Sequence, residues 1–190
     1  YEKPKGVLRV RGEVLIERQI RQLHEVGITD ITVVVGYKAE YFFYLAAEFG
    51  VSIMVNPHYA TLNNHSTLWV ARARMGNTYI CSSDNYFTEN PFSAHQYEAS
   101  YATEFVAGPT DEWCVETSAD GVITDVTIGG RDAWVMLGHA YFDRAFSTRF
   151  RAILEQEYGH PQTGPKLWET LYIEHLDELR MTAVHYPVGR

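Results

Sequence analysis

The run Ile31-Thr32-Val33-Val34-Val35, set between Asp30 and Gly36, constrains the fold more than any other stretch of the chain. It offers apolar or β-branched side chains to both faces of a strand, which is what a parallel strand covered by helices requires. The segment before it supplies such a cover. In "EVLIERQIRQLHEVG", Leu15, Ile16, Ile20, Leu23 and Val26 share one helical face and Gly27 is a stop signal. That spacing predicts a helix of about four turns.

The alternation continues. "AEYFFYLAAEFG" reads as a helix, "VSIMVNP" as a strand, "HSTLWVARARMG" as a helix closed by Gly76, and "NTYICSSDN" as a strand. Strands alternating with helices through short joins predict a doubly wound, mainly parallel α/β sheet of Rossmann-like type, with helices on both faces. Asp84 then stands at the carboxyl end of a strand, facing the crevice where open α/β sheets bind their ligands; the plainer alternative is a turn or cap formed by Asp84 or Asn85. After residue 100 the rhythm changes. "SYATEFVAG", "EWCVETSADGVITDVTIGG" and "AWVMLGHAYF" are short β-like runs separated by Asp-Gly and Gly-Gly hairpin signals, which predict a small mixed or antiparallel extension. Helices return with "DRAFSTRFRAILEQEYG", capped by Asp143, with Phe146, Phe150, Ile153 and Leu154 on one side, and with "KLWETLYIEHLDEL". Residues 159–165, "GHPQTGP", read as the flexible loop of the chain.

Length and charge limit the function. A chain of 190 residues that is 46% hydrophobic and 21% charged can build one domain with a substantial core, and no apolar run approaches a membrane span. A formal charge of -8 without clustered Lys and Arg argues against a nucleic-acid surface, while leaving room for a small phosphorylated ligand carried with a cation. Cys81 and Cys114 lie in apolar stretches, as buried free thiols would, and a cytoplasmic location fits them.

In order along the chain stand "KPKGVLRVRGEVLIERQIRQLHEVGITDITVVVGY", "NPHYATLNNHSTLWVA", "YICSSDNYF" and "DEW". This succession resembles the sugar-phosphate nucleotidyltransferase superfamily, and most of all its bacterial CTP:phosphocholine cytidylyltransferases, over nearly the whole chain. Pro4-Lys5, the strand and glycine turn after it, and the "LIE..I..L" helix carry the superfamily likeness; "NN.ST" and "DEW" carry the choline branch. The resemblance implies nucleotidyl transfer from CTP to phosphocholine, giving CDP-choline and pyrophosphate, with Mg2+ as cofactor.

It also implies roles. Lys5 matches the signature lysine on the phosphates, and Asp84 the acid that carries Mg2+, with Asn85 beside it; a hard cation takes carboxylate oxygen. Gly36 and Tyr37 match the turn that passes near the nucleotide, where a missing side chain admits a ligand to the backbone, although a plain strand-ending turn accounts for them equally. Asn63, Asn64 and Ser66 can read a pyrimidine edge, or Asn64 or Ser66 can cap a helix; both can hold together. A trimethylammonium cannot donate hydrogen bonds and is held by aromatic faces and an acid. Trp113, Tyr141, Trp168 and Tyr172, with Glu112 and Glu169, are the candidates, each also readable as core packing.

The family's glycine-rich loop would stand immediately before Pro4, and its second metal-binding acid after Arg190. Residues 1–190 are therefore expected to form a single nucleotidyltransferase-like domain lacking both, with activity residing in a longer parent. A hexose-1-phosphate nucleotidyltransferase and an inactive, nucleotidyltransferase-like binding or regulatory module stay open beside the choline reading. So do a homodimer and a kinase domain fused to the parent.

Overall fold

The computed structural model describes residues 3–187. The chain divides into two compact units. The first takes the described residues up to Arg74 together with Ser82–His95 and Glu157–Trp168; the second takes Met75–Cys81, Gln96–Gln156 and the residues from Glu169 onward.

In the first unit, a single turn of 3-10 helix, Lys5–Val7, leads into a short ribbon of β1 (Arg9–Val10) and β2 (Glu13–Val14), then α1 (Leu15–Glu25). The helix is about three turns long rather than four, because Glu13 and Val14 pair antiparallel with Val10 and Arg9 instead of opening it. It closes as the glycine signal predicts: the Ile28 N–H reaches back to the Leu23 carbonyl at 3.0 Å beyond Gly27. Next come β3 (Thr32–Val35), α2 (Tyr44–Phe49) and β4 (Ser52–Val55), and β3 and β4 pair in parallel from Thr32 opposite Ser52 to Val35 opposite Val55. The helix expected over "AEYFFYLAAEFG" is broken in two, with a 3-10 turn over Ala39–Phe42 ahead of α2. The predicted strand–helix–strand unit is thus present, and its core is Val14, Ile16, Ile20, Val35, Phe42, Leu45 and Val51. The last helix of this unit, α3 (His65–Ala71), runs into a 3-10 turn at Arg72–Arg74 and stops short of Gly76.

In the second unit, β5 (Thr78–Cys81), β6 (Ser100–Thr117), β7 (Ile123–Phe142) and β8 (Thr182–Tyr186) form one sheet in the order β5-β7-β6-β8. The β6–β8 pairing is parallel and the other two are antiparallel. The mixed α/β class holds, but the parallel share is smaller than expected and the extension is large. The three short β runs fuse into two long strands because Asp120-Gly121 makes the hairpin turn, whereas Gly129-Gly130 lies inside β7 at an irregular stretch opposite Thr110. The sheet curls. Val135 pairs with Glu104 on one side and Cys114 on the other, and the hairpin tip bonds to β8 through the Ala183 N–H to the Gly121 carbonyl, 3.0 Å. Sequence reasoning missed β8, although Thr182, Val184 and Tyr186 are good strand formers.

Two helices belong to this unit except for one end residue each, Glu157 and Trp168: α4 (Arg144–Glu157) and α5 (Trp168–Glu174), the latter shorter than its apolar pattern suggested. On α4, Phe146, Phe150, Ile153 and Leu154 are buried as their spacing predicts, with the Phe142 and Phe146 rings 4.5 Å apart. Asp143 caps α4. One carboxylate oxygen accepts from the Phe146 N–H at 2.8 Å and the other from the Ala99 N–H at 3.1 Å.

Two outcomes are expected from this packing. Asp143→Ala loses both acceptors and should lower unfolding free energy by about 1–2 kcal/mol in urea titration, a loss that Asp143→Asn recovers in part. Burial holds the His139 imidazole down at about 4 from its usual 6.5. Its depressed value favours the folded state above pH 6.5, and that contribution is lost as pH falls from 6.5 towards 4. Melting temperatures across that window should fall more gently in His139→Phe than in the wild type.

Candidate active site

Asp84 follows β5 by three residues, on a turn whose backbone belongs to no strand or helix. The strand before it is antiparallel to its neighbour rather than one of a parallel set, because β7 returns alongside it. The structure brings Lys5 and Asp84 together: Lys5 Nζ lies 3.6 Å from Asp84 Oδ2, with the two side chains 64% and 38% exposed. Gly6 brings the segments together. A Cβ there would stand 2.9 Å from Ser83 Oγ, so a larger residue would push the Lys5 turn and the Asp84 turn apart or turn Ser83 aside.

The Asp84 segment is held from α1 by side chains that sequence reasoning passed over. Buried Gln19 donates to the Ser82 carbonyl at 2.8 Å and the Asn85 carbonyl at 3.0 Å. Gln22 donates to Phe87 O at 3.3 Å, and Arg18 to Phe87 O at 2.8 Å and Thr88 O at 2.9 Å. Arg18 also lies over the Tyr86 ring, 4.8 Å from its centroid, while Glu13 anchors its guanidinium from the other side. A usable signal was present: Gln19 and Gln22 fall within the buried stripe Leu15-Ile16-Ile20-Leu23, and uncharged polar groups in such a stripe need hydrogen-bond partners.

As a cation holder, Asp84 offers hard carboxylate oxygen. Among the described residues no three His, Cys, Asp or Glu side chains gather as a metal cluster. One exposed carboxylate suits Mg2+, which keeps waters and takes substrate phosphate oxygens, better than it suits zinc, which draws its protein ligands into one closed set.

The space that a Cβ on Gly36 would occupy is filled by Tyr59, whose Cβ would be 2.4 Å away. Tyr37 is exposed, with Lys38 Nζ 5.4 Å from the centre of its ring. The next three candidates are built into the fold. Ser66 is fully buried, donating to the Asn63 carbonyl and accepting from Asn56 Nδ2, both at 2.8 Å. Asn63 Nδ2 donates to the Pro165 carbonyl at 2.9 Å, and Asn64, which stands at the N-cap position of α3, accepts at Oδ1 from the Trp168 N–H at 2.7 Å and not from α3. Those bonds also tie down residues 159–165, expected to be flexible. Within them Thr163 is buried and donates to Glu157 Oε2 at 3.1 Å.

The aromatic candidates differ in access. Trp168 and Tyr172 are buried, Tyr172 completely, and burial pushes its phenol up. Tyr141 is buried against Tyr79, with ring centroids 5.1 Å apart. Trp113 is half-buried on β6 opposite Ile128, next to exposed Glu112, whereas Tyr141 pairs with Ser100, far along the same ladder. Glu169 accepts a hydrogen bond from the Tyr101 hydroxyl at 3.3 Å. No described helix is long and apolar enough to cross a membrane.

A choline-phosphate cytidylyltransferase of Streptococcus pneumoniae is 27% identical over 176 residues, covering 93% of this chain and 77% of that protein. A 2-aminoethylphosphonate cytidylyltransferase of Lancefieldella rimae is 30% identical over 186 residues, covering 94% and 74%. The solved structure of the CTP:phosphocholine cytidylyltransferase from Streptococcus pneumoniae superposes with a TM-score of 0.93 at 26% identity, covering 97% of this chain and 81% of that one. The family model for the MobA-like NTP transferase domain matches residues 1–180, and the chain belongs to that family.

Proposed function

We propose that this nucleotidyltransferase transfers the cytidylyl group of CTP to phosphocholine, giving CDP-choline and pyrophosphate. The observation that carries the reading is the Lys5–Asp84 pair, an ammonium and a carboxylate 3.6 Å apart on a clamped turn. In the reaction a phosphate oxygen of the acceptor attacks the α-phosphorus of CTP. The new P–O bond replaces the α–β bridging bond, and its electron pair leaves with pyrophosphate. Two polyanions must be brought together, so the work is positioning and neutralisation.

Lys5 supplies a mobile point charge for the triphosphate. Asp84 would hold Mg2+, which, when bound, neutralises charge on the phosphate oxygens. An exposed ion pair contributes only ~0–1 kcal/mol, so Lys5 and Asp84 exchange each other for substrate groups at little cost. Gly36, Tyr37, Asn63, Asn64 and Asn85 are assigned to the nucleotide side, with Ser66 acting through the Asn63 backbone it holds. For the acceptor, half-buried Trp113 with Glu112 is assigned to the trimethylammonium; Trp168, Tyr141 and Tyr172, all buried, and Glu169, which accepts from Tyr101, are assigned to packing. The relative 30% identical to the chain supports a second acceptor, 2-aminoethylphosphonate, whose primary ammonium would rely on the acids more than on the rings.

Two measurements test this reading. Asp84→Asn keeps the shape and loses the charge, so kcat with CTP and phosphocholine should fall about a thousandfold, roughly 4 kcal/mol, with the circular dichroism spectrum unchanged. An unchanged kcat at saturating Mg2+ would remove Asp84 from the site. Trp113→Leu should raise KM for phosphocholine about tenfold, a cation–π-sized loss, with KM for CTP steady, whereas Trp168→Leu, at a buried position, should lower the melting temperature instead. Equal losses for phosphocholine, 2-aminoethylphosphonate and glucose 1-phosphate in Trp113→Leu would make Trp113 a packing residue, and a preference for glucose 1-phosphate would move the protein to the sugar branch.

A further inference from the structure

The turn carrying Asp84 is gripped from below at two points by one side chain. Gln19 uses both protons of its amide, one on the carbonyl of Ser82 and one on that of Asn85, at 2.8 and 3.0 Å. These carbonyls bracket Ser83 and Asp84, so both ends of the turn are fixed to α1. Ser83 is confined as well, since it rests on the space left by the missing side chain of Gly6. The Gln19 side chain is buried and rooted in the middle of α1, whose neighbours Ile16 and Ile20 are core residues. The turn that carries the carboxylate is therefore tied to a helix packed in the core.

We propose that Gln19 is a positioning residue for Asp84, fixing the turn so that the carboxylate meets the divalent cation, and that the cation affinity of the enzyme is set through α1. This rests on reading Asp84 as the acid that holds the cation. Gln22 provides an internal comparison: it is equally buried on the same helix, but its amide donates to the Phe87 carbonyl, outside the Asp84 turn. A merely structural role for buried glutamines predicts the same behaviour from both.

The experiment compares Gln19→Met, which keeps the volume and removes both donors, with Gln22→Met and Asp84→Asn. For each, the Mg2+ concentration for half-maximal activity is measured, together with Mn2+ binding by electron paramagnetic resonance in the presence of CTP. Gln19→Met should weaken both about tenfold, the size of effect seen when the partner of a metal ligand is removed, with kcat largely restored at saturating Mg2+. Gln22→Met should lower the melting temperature and leave both cation measurements at wild-type values. Folded Gln19→Met with wild-type cation binding, or equal shifts in the two glutamine variants, overturns the proposal. If Asp84→Asn binds Mn2+ like the wild type, the cation reading fails and the grip with it; if only Asp84→Asn loses the ion, the grip alone fails. Should Gln19→Met not fold, the wild type decides: titration with Mg2+ and CTP should shift the side-chain amide resonances of Gln19 and leave those of Gln22 in place, and an unmoved Gln19 overturns the proposal.

Discussion

A backbone with no strand or helix to pair with must still satisfy its carbonyls, and residues 82–95 are such a backbone. In this protein α1 supplies the donors. Gln19, Gln22 and Arg18 take the carbonyls at 82, 85, 87 and 88, and Asn90 returns the favour by donating to the Gln22 carbonyl at 2.7 Å. The net gain from each neutral bond is about 1 kcal/mol, but leaving a buried group unmet costs more, which is why the arrangement is specific as well as stable. A reactive carboxylate can then be displayed on irregular chain without being loose.

One helix thus has two audiences. Its apolar residues build the core of the first unit with β3 and β4, and its polar residues hold the segment that carries the chemistry. The exposed pair of Lys5 and Asp84 contributes little to stability, so the fold can leave it available to ligands.

What could be read from the sequence follows from which signals are local. The β3 run, the Gly27 stop, the Asp143 cap and the α4 face all rest on neighbouring residues, and each holds in the structure. The Asp84 turn was legible through its likeness to a family, but its support was not, because Gln19 contacts residues more than sixty positions away. The same holds for Asn64, which accepts from the Trp168 N–H 104 residues on, and for Tyr59 occupying the space beside Gly36. The long hairpin was read as three short strands because Gly129-Gly130 carries a turn signal that the partner strand overrides.

The curl of the sheet has a consequence for how the protein is made. The last strand, β8, is flanked by β6 and by the tip of the hairpin, partners some eighty and sixty positions earlier in the chain. Synthesis on the ribosome runs in one direction, so both partners emerge and wait with open edges until β8 is released. Pairings this distant in sequence close slowly. During that interval the unprotected edge of β6, with Tyr101 and Thr103 still uncovered, is the surface most open to the wrong neighbour.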